Sequence, residues 1–430
     1  MCGLPVRYRT PAANIMIWGL GVFLLCNVAI ADIVTTLSGP VQGKMEWAHG
    51  KAVEHFKGLP FAAPPVGPNR WRAPQPVVPW TAVRVAEKFG NACVQSKNSM
   101  TEIFPVAISE DCLYLNVYRP FGTNKSSNLP VMLFFHGGSY VLGAASFLPY
   151  EATERIATTQ EKVIIVTANY RLQALGYLGG ELLRSELYPG SPEKTTGNWG
   201  FLDQREAMRW VHRNIARFGG DPRAVTIFGE SAGGTNVLSL MASPLAAGLF
   251  HKAIVQSGSF RPSPLSEAQD IGTTASGRAR VSAREIGARL LVQSGQADNR
   301  TEAIAKQEEI SSSVMSNWLR SVSVEELYSV VDGSFAGMIT MPKVLADGYV
   351  IPVPADSGAF TDPASYNAVP LMIGSTRDEA KLFFAFDPRY VELTNGIPVG
   401  INDLEAYNRD TRYGSDVWRS LGVDSIAEQV

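Results

Sequence analysis

The chain has 430 residues, of which 45% are hydrophobic and 18% charged, with a formal net charge of −2. That composition belongs to a folded protein and excludes a disordered one. No run of five like charges occurs, so there is no electrostatic basis for a nucleic-acid or membrane-surface partner.

The first feature in chain order is a targeting segment. Arg7 and Arg9 precede an apolar run of 16 residues, Ile15 to Ile30, and Ala29 and Ala31 supply a small-x-small pattern. A spanning helix needs about 20 apolar residues. The run is therefore read as a signal peptide (residues 1–31), cleaved after Ala31, rather than a retained anchor. Residues 32–430 then form a secreted protein with no stable membrane association. Cys2 and Cys26 leave with the signal. Cys93 and Cys112 remain and either pair in an oxidising compartment or stay as two buried thiols. Asn124-Lys125-Ser126 and Asn299-Arg300-Thr301 are glycosylation sequons, used only in a eukaryotic secretory pathway.

His49 and His55 lie in an early segment that reads as a β-hairpin. Gly58 to Trp80 is dense in Pro and Gly but interleaved with apolar and aromatic residues, which predicts an ordered segment packed on the core rather than a linker. From Pro130 onward, short apolar runs end in turn residues: Val131–Phe135, Val163–Ala168, Val225–Phe228, Ala253–Gln256 and Val369–Ile373. Such runs predict buried strands of a largely parallel sheet. Leu202–Phe218 places Ala207, Trp210, Val211 and Ile215 on one helical face and stops at Gly219-Gly220. Arg278–Val292 and Val324–Val331 are further amphipathic helices. Alternating strands and helices predict one α/β domain with insertions, its sheet flanked by helices.

Two of the turns carry chemistry. Gly229-Glu230-Ser231-Ala232-Gly233 follows the strand VTIF and opens a helix. A serine at so tight a strand-to-helix turn is held in a strained backbone and exposed to a substrate, with the helix N-terminus aimed at the reacting centre. His136-Gly137-Gly138-Ser139 follows the strand VMLFF. Its glycines let backbone N–H groups approach a substrate oxygen and, with the N–H of Ala232, form an oxyanion hole. No HExxH and no Cys/His cluster is present, so neither metal nor cofactor is implied.

Here the chain resembles the type B carboxylesterase/cholinesterase family of α/β-hydrolases. The resemblance rests on EDCLYLNV at Glu110–Val117, FGESAGG at Phe228–Gly234, the HGG turn, PFAAPPVGPNRW at Pro60–Trp71, NYRLQALGYL at Asn169–Leu178 and the block Gly197–Pro222, all in the family's order. LFHKAIVQSGS at Leu249–Ser259 and VLADGYVIP at Val344–Pro352 extend it. It implies a serine esterase that acts on a small-molecule ester through an acyl-enzyme. Ser231 would be the nucleophile, Gly138, Ser139 and Ala232 the oxyanion donors, and Cys93–Cys112 the first disulfide. The family's acid falls in Gly374-Ser375-Thr376-Arg377-Asp378-Glu379, at Glu379, with Asp378 as the local competitor. Chain order agrees, because in α/β-hydrolases the acid follows the serine.

The same order puts the histidine after the acid, yet His49, His55, His136, His212 and His251 all precede Glu379. The resemblance therefore implies a chain incomplete at its C-terminus, without its last strand, its C-terminal helices and the catalytic base. A non-catalytic adhesion-type relative or an inactive product is the alternative, against which stand the retained Ser231 and Glu379. Cholinesterases carry a choline-binding tryptophan in the loop closed by the first disulfide. Between Cys93 and Cys112 the only aromatic here is Phe104, which favours general small or medium acyl esters over choline esters. No sequence feature specifies an oligomeric state.

Overall fold

The computed structural model describes residues 32–95, 106–183, 197–273, 281–331, 343–352, 358–385, 389–394, 397–419, 423–424 and 426. The signal segment and Phe104 therefore lie outside the described residues.

An eight-stranded sheet organises the molecule. Its strands are β1 (Lys44–Ala48), β2 (Lys51–Pro60), β3 (Tyr114–Pro120), β4 (Leu129–Phe135), β5 (Ile164–Ala168), β6 (Gly220–Glu230), β7 (Lys252–Gln256) and β8 (Leu371–Gly374). The spatial order is β1-β2-β3-β5-β4-β6-β7-β8. The first three pairings are antiparallel and the remaining four parallel. β1 and β2 form the expected hairpin. Its two-residue turn is His49-Gly50, both with positive φ (48° and 71°), which matches the twist of the flanking strands.

Every apolar run from Val131 to Gln256 is a strand of this sheet, and Leu133, Val166 and Ile227 are fully buried. The last strand starts at Leu371, two residues later than the run Val369–Ile373 predicts. Pro370 has no N–H for the ladder, although its carbonyl still accepts from Ala253 N at 3.0 Å.

Helices connect the parallel strands: α1 (Thr153–Thr158), α2 (Trp199–Asn214), α3 (Ala232–Ala242), then α4 (Ala283–Gln293), α5 (Arg300–Glu309), α6 (Ser312–Ser321) and α7 (Val324–Ser329). After β8 come α8 (Glu379–Phe384) and α9 (Leu404–Arg419). α2 begins three residues before the predicted Leu202. Asn198, just ahead of it, spends its side-chain amide on both backbone groups of Leu345 (2.9 and 2.8 Å). A 3₁₀ turn prolongs α2 to Phe218, and Gly219 ends it with φ 89°. α4 starts at Ala283, where Ser282 is its cap and accepts from Glu285 N at 3.2 Å; the predicted start at Arg278 lies outside the described residues.

The Pro/Gly-rich segment is packed as predicted. Trp71 is 2% exposed and its indole donates to Ala174 O at 2.7 Å. Beside it, Arg70 grips Glu110 through two bonds of 2.8 and 2.7 Å.

Candidate active site

The turns that carry the candidate residues follow β4, β6, β7 and β8, at the C-terminal end of four neighbouring strands. This is where ligands bind in open α/β sheets.

Ser231 links β6 to α3. Its φ of 55° and ψ of −120° are strained for a residue with a Cβ. Two bonds hold it there: its N–H donates to Gln256 O of β7 (2.8 Å), and its carbonyl accepts from Thr235 N (2.9 Å). The flanking glycines are a steric requirement. A Cβ on Gly233 would sit 2.1 Å from the Phe135 carbonyl oxygen of β4, and one on Gly229 would sit 2.4 Å from the Gly233 backbone.

The turn after β4 lies against this elbow. A Cβ on Gly137 would be 2.7 Å from Glu230 O and 3.3 Å from Ser231 Cβ. Gly138, Ser139 and Tyr140 all have positive φ (107°, 54° and 63°). This winds the turn so that Gly138 O accepts from Val141 N and Leu142 N (2.9 and 3.1 Å). Among the described residues the N–H groups of Gly138, Ser139 and Ala232 have no protein acceptor. They remain available to a developing negative charge.

Glu379 opens α8, just past β8. Its Oε1 accepts from Thr376 N at 2.7 Å and from the Ser257 hydroxyl. Asp378 turns away and pairs with Arg377 (3.2 Å) and Lys381 (3.4 Å). Hydrogen bonding to the Arg377 guanidinium holds its carboxyl below the usual range. The geometry thus separates the two neighbouring carboxylates: Glu379 faces the sheet, Asp378 the solvent.

Two further residues enter the site that sequence reasoning gave no role. Ser257 follows β7, 7% exposed with φ 54°. Its N–H donates to Gly374 O of β8 at 2.7 Å while its hydroxyl reaches Glu379. Glu230, the variable position of the elbow, has its Oε2 2.9 Å from where a Gly137 Cβ would lie. Desolvation first, and the charge of Glu379 second, raise its carboxyl above the ordinary range. An acidic residue beside the serine was a visible signal; a serine in a Ser-Gly-Ser turn was not.

None of the five histidines bonds to Ser231 or Glu379. His49 pairs with Glu154 at the surface. His55 is buried with its Nε2 3.4 Å from Glu46. His136 is stacked on Tyr170 with ring centroids 4.4 Å apart, and its Nδ1 is 2.8 Å from Gly137 O. Burial lowers both His55 and His136 to about 4, so they are neutral at pH 7. His212 is exposed on α2, and His251 Nδ1 accepts from Val225 N at 3.3 Å. Cys93 and Cys112 are joined as a disulfide, with Cα atoms 4.9 Å apart. Among the described residues no group of three or more His, Cys, Asp and Glu is placed to hold a metal ion.

Comparison with known proteins identifies the family. The model of the carboxylesterase family matches residues 30–411. The chain belongs to the carboxylesterase family. Among curated relatives, an acylcarnitine hydrolase of Mus musculus is 36% identical over 363 residues, which cover 80% of this chain and 58% of that protein. A para-nitrobenzyl esterase of Bacillus subtilis (strain 168) is 37% identical over 364 residues, covering 83% and 64%. The solved structure of a thermophilic PNB esterase superposes with a TM-score of 0.63 at 33% identity, over 84% of this chain and 66% of its own. The carboxylesterase chain described here thus spans about half to two thirds the length of the curated relatives it matches.

Proposed function

We propose that this chain carries the nucleophile, oxyanion-binding and acid portions of a secreted serine carboxylesterase acting on small or medium acyl esters. The observation that supports it is convergence. Ser231, the Gly137–Ser139 turn and Glu379 come from three strand ends and share one rim of the sheet. Ser231 Oγ attacks the ester carbonyl, the N–H groups of Gly138, Ser139 and Ala232 receive the oxyanion, and the alcohol leaves to give an acyl-enzyme that water hydrolyses. The serine proton goes to an imidazole that Glu379 orients, and none of the five histidines of this sequence takes that place. Export begins with the signal at residues 1–31, removed after Ala31. The Cys93–Cys112 disulfide fits the oxidising route, and Asn124 and Asn299 accept glycans where the host is eukaryotic.

A second interpretation is favoured by the histidines, all placed away from Ser231: a binding protein on the same fold. A fluorophosphonate probe separates the two. On the esterase proposal it labels Ser231 slowly, at the rate left when a triad lacks one member, which in known triads is still about 10³–10⁴ above water for catalysis. Peptide mass mapping then places the adduct on Ser231 and Ser231→Ala abolishes it. Labelling no faster than that of an ordinary surface serine favours the binding protein.

A further inference from the structure

The turn after β4 can offer its N–H groups to a substrate only if its peptide planes face the right way. Each plane is fixed by what its carbonyl does. In a trans peptide the C=O and the N–H that follows it are coplanar and point in opposite directions. Among the described residues no peptide bond is cis. The peptide joining Gly138 to Ser139 is set by the turn itself, because Gly138 O accepts from Val141 N and Leu142 N at 2.9 and 3.1 Å. The peptide joining Gly137 to Gly138 has no such backbone bond. Among the described residues the hydrogen-bond partner of Gly137 O is the His136 ring, whose Nδ1 lies 2.8 Å away.

A carbonyl oxygen can only accept, so this contact is a hydrogen bond only when Nδ1 carries the proton. Burial keeps the ring neutral at pH 7, so one nitrogen is protonated and the other is not. Packing keeps the ring in place. His136 is 1% exposed, and the Tyr170 ring lies nearly flat against it, at an interplanar angle of 17°. The Tyr170 hydroxyl also donates to His136 O at 2.7 Å. Gly143 closes over the bond. A Cβ there would stand 2.3 Å from His136 Nδ1 and 2.6 Å from Gly137 O, and its φ of 119° already calls for glycine. Gln95, itself buried, clamps Gly143 from both ends: its Oε1 accepts from Gly143 N at 3.0 Å and its Nε2 donates to Gly143 O at 2.9 Å.

We propose that His136 is a positioning residue for the oxyanion site: as the Nδ1–H tautomer it holds the Gly137 carbonyl and so turns the Gly138 N–H away from the ring, to where a substrate oxygen takes up charge. His136 touches no reacting atom. The use of that N–H as an oxyanion donor rests on the esterase proposal; the tautomer and the direction of the peptide do not.

The first test is a long-range proton–nitrogen NMR correlation at pH 7 on the full chain containing 15N-labelled histidine. His136 is assigned by the resonances lost in His136→Asn. A proton on Nδ1 and a bare Nε2 are expected. A proton on Nε2 overturns the proposal, whatever the chain catalyses. The second test is the rate of fluorophosphonate labelling of Ser231. His136→Phe keeps a ring to stack on Tyr170 and removes the donor. It should slow labelling about tenfold or more, part of the roughly 10²–10³ that one oxyanion donor contributes. His136→Asn carries an amide nitrogen where Nδ1 stands and should recover most of that loss. Equal rates in wild type and His136→Phe, or no recovery in His136→Asn, would make His136 a packing residue and overturn the proposal. If the unsubstituted chain labels no faster than a surface serine, the esterase proposal fails by itself and the tautomer decides this one. The tautomer also decides if His136→Phe does not fold.

Discussion

The two halves of the candidate site are built in different ways. Around Ser231 the backbone is locked by neighbours with no room to move: Phe135 is fully buried, Ala232 is 5% exposed, and two glycines sit where any side chain would collide. Around Glu379 the support is thin. β8 is the sheet's edge among the described strands, Met372 on it is 68% exposed, and Leu371 and Ile373 are only half-buried. The Ser231 side is shaped by core packing, while the Glu379 side is held chiefly by a few polar bonds. Strain at the elbow is sustainable because the rest of the fold over-determines it.

Substitutions can break or sharpen that contrast. The largest effect is expected at Asp203, fully buried and bonded to Arg171 at 2.7 Å. Asp203→Ala strands a buried guanidinium and should cost about 3–5 kcal/mol in urea unfolding. Next comes Gly233→Ala, whose methyl group meets the Phe135 carbonyl. A loss of about 3 kcal/mol is expected, together with loss of fluorophosphonate labelling. Retained labelling at wild-type rate would show that the elbow can relax.

Between the two sides, Glu230→Gln tests electrostatics, since Glu230 stands on the elbow and feels the charge of Glu379. A carboxyl raised in the folded state binds its proton more tightly there than in the unfolded chain. It therefore costs nothing below the unfolded value and lowers stability as pH rises through the interval up to the folded value. The variant should match wild type in acid and exceed it at pH 7; parallel curves would remove Glu230 from the site's charge balance. The smallest effect is expected at Asp378, whose ion pairs are solvent-facing. Asp378→Ala should leave the unfolding midpoint unchanged, whereas a clear drop would mean that the exposed pairs support the acid turn after all.

Much of this was legible from residues alone, for reasons that differ by region. Parallel strands buried on both faces read as unbroken apolar runs, so β4 to β7 were visible as VMLFF, VIIVTA, VTIF and AIVQ. The elbow was visible because close backbone approach demands glycine at fixed positions. Glu379 over Asp378 followed from the resemblance, whose motif places the acid at its second carboxylate, and the structure turns those two side chains to different partners. The three-residue strands Ile33–Thr35 and Pro40–Gln42 left no period to detect, since they are shorter than one alternation cycle can specify. Ser257 was hidden for another reason. Its contact with Glu379 spans 122 residues of sequence, and only the parallel pairing of β7 with β8 brings it about.

That pairing has a metrical consequence. Ser231 N–H is bonded to the last residue of β7, and Ser257 N–H to the last residue of β8. The turn bearing the acid is thus two steps across the sheet from the turn bearing the serine, each step one interstrand spacing of about 4.8 Å. The sheet acts as a ruler, graduated by peptide geometry rather than by side chains. Drift in the surrounding sequence can reshape the pocket without recalibrating the distance at which its two ends stand.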